Sequence, residues 1–185
     1  AVGAVLPSAA FPGPSEMARR CRAFDWAATP LGPADRWPAS LRTAAGLVLG
    51  AAFPMILLWG PDLVQLYNDG YVPFLAAKHP DGLGHPTRAV WPEVWHINAP
   101  IYARVRAGET VSLEAAHFPV TRQGPGGPVE DLYITLAYSP VYDEAGAVGG
   151  VLVTLRDETE RVRARAGAAA GARRGAELEA VLESM

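Results

Sequence analysis

Residues 138–161 read YSPVYDEAGAVGGVLVTLRDETER. This run divides into an aromatic and β-branched segment, a turn, a second apolar segment and a charged tail. Asp143-Glu144-Ala145-Gly146 is hairpin chemistry: acidic residues that can bond their own backbone, then a glycine free to take a positive φ. Residues 151–155, VLVTL, then supply the β-branched and aliphatic side chains of a strand. No breaker ends that strand. The chain meets Asp157 and passes into ERVRARA with neither Gly nor Pro between, so the sheet is expected to run directly into a helix. Asp157 or Thr159 can accept from the first unpaired N–H groups of that helix, and acidic charge suits its positive end. Arg161 can pair with an acidic neighbour.

Upstream, DLYITLAYSPV places Leu132, Ile134, Leu136 and Tyr138 in alternation with Tyr133, Thr135, Ala137 and Ser139. One face of this strand can be buried and the other partly so. TVSLEAAHFPV, separated from it by the loop RQGPGGP, is a further strand. MILLWG and LVQLYND flank Gly60-Pro61-Asp62 and read as a hairpin. Asn68 or Asp69 is placed to cap a short helix through GYVPFLAAK, weakened in its middle by Pro73. HPDGLGHP is loop. In RAVWPEVWHINAPIYARVRAGE, Val90, Val94, Ile97, Ile101 and Val105 recur at near-helical spacing, which predicts one long central helix stopped at Gly108. Strands in the order two, helices, three define an α+β fold: a five-stranded antiparallel sheet with helices on one face.

Outside this core, residues 1–23 are rich in Ala, Gly and Pro and are expected to be loosely ordered. FDWAATPLGPADRW is expected to be tacked to the domain surface by its rings. Ser40 is expected to cap a helix over LRTAAGLVLGA, giving an N-terminal helical extension across residues 24–52. TAAGLVLGAAFPMILLWG approaches membrane-spanning length, but Gly46, Gly50 and Pro54 interrupt it, which favours a helix followed by a buried strand. Residues 1–10 have no basic n-region and contain Pro7, and no initiating Met is present, so the sequence reads as a fragment of a longer protein.

The chain has 185 residues and a hydrophobic fraction of 50%, enough for one core. With 16 Lys+Arg against 19 Asp+Glu it carries a net charge of -3, so neither nucleic acid nor an anionic membrane is implied as a partner. The single Cys21 excludes an internal disulfide framework and a four-cysteine zinc site, and fits a reducing, cytoplasmic setting. GxxxxGK[ST], HExxH, GxSxG and a kinase nucleotide-binding motif are all missing, so no catalytic constellation is visible.

The order of these elements resembles the PAS family of bacterial sensory domains, over roughly residues 53–162. LYNDGY is similar to the family's second strand and the Asn that opens its first helix. GLGHP resembles the turn before the central helix, with His85 in the basic position. YSPVYDEAGAVGGVLVTLRDETER resembles the last hairpin and an Asp-x-Thr exit motif, and DWAATPLGPADRWPASLRTA resembles the lead-in to PAS modules of sensor histidine kinases. The resemblance implies a non-catalytic sensory domain over residues 53–160 of a histidine kinase in a two-component system. It places Asp157, Thr159 and Arg161 at a signalling junction and makes residues 161–185 a linker helix. AELEAVLESM, with its stripe of Leu178, Val181, Leu182 and Met185, resembles the helix that introduces another PAS domain. Implied partners are downstream PAS and kinase domains, and a second copy bound through the N-terminal helix (residues 41–49) and the C-terminal helix.

A ligand in such a domain would be an apolar or aromatic small molecule between sheet and central helix, with Tyr67, Trp95, His96, Tyr133 and Tyr138 as candidate contacts; its identity is unknown from sequence. Two alternatives are a ligand-free dimerisation module and a haem-binding gas sensor ligated by His96, beside Trp91, Trp95 and Tyr102. A lone His among aromatics is weak support for haem. A flavin–cysteine adduct is disfavoured because Cys21 precedes the first strand. His79 and His85 flank a loop with only Asp81 as a carboxylate, and His117 lies alone in a strand, so no metal site is expected.

Overall fold

The computed structural model describes residues 10–124 and 126–183, the side chains at 175, 178 and 181–183 excepted. The apolar stripe of Leu178, Val181, Leu182 and Met185 lies outside the described side chains. Order begins earlier than composition suggests. Ser15 caps α1 (Glu16–Ala23) by accepting from the Ala18 N–H, and Met17, Ala18 and Cys21 are buried. The loose order expected through residue 23 therefore fails from Ala10 onward, for a physical reason. Phe11 stacks on Trp26 at 5.8 Å between ring centroids and meets Trp37 edge-on at 5.3 Å. Burial of that much ring area outweighs the entropy of the Gly and Pro residues around it. The rings of residues 24–37 are accordingly core, with Trp26 and Trp37 both buried.

The extension continues through two 3₁₀ turns to α2 (Ala39–Gly50). Ser40 does not cap α2, because the helix begins one residue earlier, after Pro38. Instead the Ser40 N–H and hydroxyl donate to the carboxylate of Glu144, at 2.7 and 2.9 Å. The first turn of α1 is held in the same way: the N–H groups of Glu16 and Met17 donate to Asp69, at 3.1 and 2.7 Å. Each extension helix thus has orphan N–H groups satisfied by an acidic side chain of the sheet domain, which docks it electrostatically as well as by packing.

Next come β1 (Met55–Trp59) and β2 (Val64–Tyr67), the predicted hairpin. Asn68 opens a 3₁₀ turn rather than an α-helix, accepting from the Tyr71 N–H, and α3 (Val72–Leu75) follows with Pro73 in its first turn, where a missing N–H is harmless. The single long central helix is a second correction. α4 (Thr87–Val90) stops at Trp91, a 3₁₀ turn spans Pro92–Val94, and only then does α5 (Trp95–Arg106) run. Pro92 disfavours helical backbone at the residue before it, and Trp91 sits at φ -124, ψ 53. The apolar spacing is right; the backbone between is not continuous.

β3 (Val111–Val120), β4 (Glu130–Tyr142) and β5 (Val148–Asp157) complete an antiparallel sheet in the order β2-β1-β5-β4-β3. The last strand is therefore the central one, and α6 (Thr159–Glu183) leaves from the middle of the sheet. β4 alternates buried and half-buried residues from Leu132 to Ser139, whereas β1 and β2 are buried on both faces. α5 packs on β3, β4 and β5, while α2 packs on β1 and β2 and supplies their second cover. Where β5 crosses β1, Gly150 is required: a Cβ there would stand 2.7 Å from the Leu58 carbonyl and 2.5 Å from the Trp59 ring.

Candidate functional site

The alternation of β4 sends its even-numbered residues to one face and its odd-numbered residues to the other. On the inner face Leu132, Ile134, Leu136 and Tyr138 form the floor of an internal cavity of about 60 Å³, walled by Ile56, Val153 and Leu155 from neighbouring strands. Its roof is built by the broken central segment. Tyr71, Phe74, Thr87, Trp91, Val94, Asn98 and Tyr102 descend from the turn after β2, from α3, from α4 and from α5. The break at Pro92 is what turns Trp91 inward while α5 presents Asn98 and Tyr102 one turn apart.

The polar groups of the roof are few and specific. The Tyr138 hydroxyl donates to Asn98 Oδ1 at 3.0 Å. Burial pushes the phenols of Tyr71, Tyr102 and Tyr138 well above the usual tyrosine range, so all three stay neutral. The Trp91 indole N–H is buried without a hydrogen bond of good geometry, and the acceptor it acts on is the Tyr71 hydroxyl. Its ring is nevertheless held in place: Lys78 Nζ lies 4.1 Å from the ring centroid and donates to the Val90 carbonyl at 2.6 Å and to Glu93 at 2.7 Å. Burial works to raise the Glu93 carboxyl, but Lys78 and the Thr121 N–H outweigh it and hold it below the ordinary range.

Of the five residues expected to contact a ligand, Tyr138 lines this cavity. The other four do not, each for a geometric reason. Tyr67 is on the edge strand β2, buried with its hydroxyl 3.0 Å from His79 Nδ1. Trp95 is half-buried beside Tyr102 and below Arg88. His96 is exposed, since two residues of α-helix separate it by about 200° from the inward Asn98. Tyr133 has the opposite parity to Tyr138 on β4 and stacks outside the sheet on His117, at 5.3 Å. With His96 outside and a cavity of about 60 Å³, these residues do not fit a haem. Trp91 and Tyr102, expected beside a cofactor, do line the cavity, while Thr87 and Asn98 are polar cavity residues that sequence reasoning did not place. A larger open cleft of about 1030 Å³ between α1 and residues 77–93 is lined by none of the unpartnered buried atoms. Among the described residues no group of three or more His, Cys, Asp and Glu could hold a metal ion, and no helix is long and apolar enough to cross a membrane.

On the outer face, β4 holds the start of α6. Tyr133 accepts from the Glu158 N–H at 2.7 Å and donates its own N–H to the Thr159 hydroxyl at 3.0 Å. Asp157 caps locally, accepting from the Thr159 N–H at 2.8 Å. Arg161 pairs with Glu158 at 2.6 Å, a residue that sequence reasoning passed over although the Glu-x-x-Arg spacing was its signal. Arg156 donates to the other oxygen of Glu158 at 2.7 Å, and Thr135 approaches it at 3.4 Å. Thr135 also accepts from the Ala115 N–H at the bulge in β3, where the register shifts between Leu113 and Ala116. The two guanidinium groups cover Glu158 at the surface.

This arrangement has a pH dependence. Arg161 chiefly, opposed by burial and aided by Arg156, holds the Glu158 carboxyl below its ordinary value of 4.5. A depressed native pKa means that its stabilisation is present above 4.5 and lost as pH falls through the lower native value. Amide protection over residues 159–162 is therefore expected to fall below pH 4.5 before that of β1. Parallel loss in both would show that Glu158 does not hold the junction.

A sequence model of the PAS fold matches residues 54–163. No curated protein matches the chain. Among solved structures it is similar to an RNA-binding light-oxygen-voltage receptor, with 20% identity over 65% of this chain and 33% of that one and a TM-score of 0.48. It is similar to a Rhodobacter sphaeroides LOV protein at 14% identity, covering 66% and 72% of the two chains, TM-score 0.49. A sensory box sensor histidine kinase from Vibrio cholerae matches at 16% identity over 63% and 90%, TM-score 0.43. The chain spans about a third of the length of the first of these.

Proposed function

Because this chain belongs to the PAS fold family, we propose that it is a non-catalytic sensory module that reads occupancy of the cavity through β4 and passes it to α6. One observation carries this reading. Leu132, Ile134 and Leu136 face the cavity, while the residue between the first two, Tyr133, clamps the start of α6 with both of its backbone groups. A displacement of β4 by a ligand therefore acts directly on the helix start, without an intervening loop. The module needs two poses of α6 that a ligand distinguishes by differential binding.

The parent protein in this proposal is a cytoplasmic histidine kinase, with α6 leading to a further PAS domain and then the kinase. Self-association through the N- and C-terminal helices is part of the same proposal, and the exposure of Leu47 on α2 and of nearby Phe53, 67% and 68%, supports it on the N-terminal side.

Filling the cavity tests the coupling without a ligand. Val153→Phe places a ring where Val153 now lines the cavity wall. The expected result is an about tenfold change in amide exchange over residues 159–162, as expected from about 1.4 kcal/mol of altered local stability, with exchange in α2 unchanged. A folded Val153→Phe protein whose junction exchanges as before would refute coupling through β4.

A further inference from the structure

We infer that His79 is a pH-sensitive pin between α1 and the sheet, neutral while the extension is docked and loosening α1 when its imidazole takes up a proton. The ring sits at an interface. His79 Nδ1 lies 3.0 Å from the hydroxyl of Tyr67, whose ring meets the imidazole edge-on at 5.9 Å between centroids. Tyr67 is completely buried although β2 is an edge strand, and Cys21 of α1, also completely buried, lies close to it. Arg20, the residue before Cys21, stands near enough to His79 for its charge to act on the ring. The imidazole is thus held between a buried phenol on one side and a cationic helix on the other.

A proton on His79 conflicts with this packing. Burial pushes the Tyr67 phenol above its ordinary range, so it keeps its hydrogen, and Nδ1 of the neutral ring is the nearer acceptor for it. The Pro80 carbonyl, the other acceptor in reach, is 3.5 Å away. An imidazolium carries N–H groups on both nitrogens, so it forces the Tyr67 hydrogen onto that long contact. Its charge is also taken out of water and set toward the Arg20 guanidinium. Three carboxylates pull the other way: Glu16 on α1, Asp69 in the turn after β2, and Asp81 in the ring's own loop. Two of them are already engaged, Glu16 with Arg19 and Arg20, and Asp69 with the first N–H groups of α1. Burial first, then Arg20, prevail and hold the imidazole below 6.5. Above 6.5 the ring is neutral whether α1 is docked or free. Below 6.5 the free ring takes up a proton that the docked ring resists, so docking weakens as pH falls until the lower docked value is passed. One proton limits the effect to about tenfold per pH unit. The extension, which precedes the residues matched to the PAS fold, would then respond to pH with no ligand involved.

NMR of the intact chain between about pH 7.5 and about pH 5.5, a window above the ordinary carboxylate range, tests this. His79 is expected to titrate below 6.5. Protection of the α1 amides, corrected for the intrinsic pH dependence of exchange, is expected to fall several-fold along the same curve while that of α5 holds constant. The Trp26 indole N–H, which donates to the Cys21 carbonyl at 2.8 Å, reports on the same helix. His79→Gln retains a side-chain acceptor without a titrating ring, so α1 protection should become flat across the window. Tyr67→Phe should raise the titration point of His79, because the hydroxyl bond favours the neutral ring. A His79 that titrates at or above 6.5, α1 protection independent of pH in the wild-type chain, or an unchanged pH slope in His79→Gln would overturn the assignment. The first two readings use the wild-type protein, so they stand even if a variant fails to fold. None of them involves the cavity, so their outcome is separate from that of the sensory reading.

Discussion

Asn68→Ala is expected to destabilise the domain by about 3 kcal/mol, from three backbone groups that lose their partner at about 1 kcal/mol each. Asn68 is 1% exposed and uses both ends of its amide. Its Oδ1 accepts from the N–H groups of Met55 and Tyr71 at 3.0 and 3.2 Å, and its Nδ2 donates to the carbonyls of Ala51 and Phe53 at 3.1 and 2.7 Å. Alanine takes away the partner of the Met55 N–H and of the Ala51 and Phe53 carbonyls, while the Tyr71 N–H keeps its bond to the backbone carbonyl of residue 68 at 3.0 Å. The bonds join three parts of the fold: the end of the N-terminal extension, the start of β1, and the turn that carries Tyr71 to the cavity. Urea unfolding measures the change, with Asn68→Asp as the informative control. Aspartate keeps the two acceptor bonds and turns a carboxylate toward two carbonyls, so it should recover little. A loss below about 1 kcal/mol for Asn68→Ala would mean that the surrounding backbone finds other partners.

The same residue shows what sequence can and cannot carry. That Asn68 or Asp69 would cap whatever follows β2 is local chemistry and legible; that Asn68 is the one, and that its other end reaches back 17 and 15 residues to Ala51 and Phe53, is not. The strands, both hairpins and the unbroken passage from β5 to α6 follow from periodicity and turn residues, which are local. The central segment misled because apolar spacing survives a break: Val94, Ile101 and Val105 are buried as a helix would bury them, although Pro92 divides the backbone. Tyr133 is a different case. The alternation that places Leu132 and Tyr138 inside also places Tyr133 outside, so period two already separated two residues that had been grouped as ligand contacts. Remote caps lie beyond such reasoning, since Asp69 and Glu144 meet helix starts 53 and 104 residues away. The loose order expected over residues 1–23 is a compositional inference, and from Ala10 onward three aromatic rings outweigh it.

Thr159→Val is expected to speed amide exchange at the start of α6 by about 10–100-fold, corresponding to the roughly 1–3 kcal/mol cost of leaving a buried N–H unpaired. Valine keeps the β-branched shape that packs at this 7% exposed position and removes only the hydroxyl that accepts from Tyr133. Thr159→Ser, which keeps the acceptor, should stay close to wild type. Asp157→Ala should have a smaller effect, because it removes a bond within the junction and leaves both ties to β4 intact. That ranking distinguishes clamping from ordinary capping: if the helix start were held only by its own cap, Asp157→Ala would be the more damaging change. In the Thr159→Val background, Val153→Phe should also lose part of its influence on residues 159–162, since the ties to β4 that remain are the bond from Glu158 to the Tyr133 carbonyl, the long Thr135 contact with Glu158 and the exposed Arg163 bond to the Asp131 carbonyl. Additive effects of the two substitutions would show that cavity and helix communicate by some route other than Tyr133.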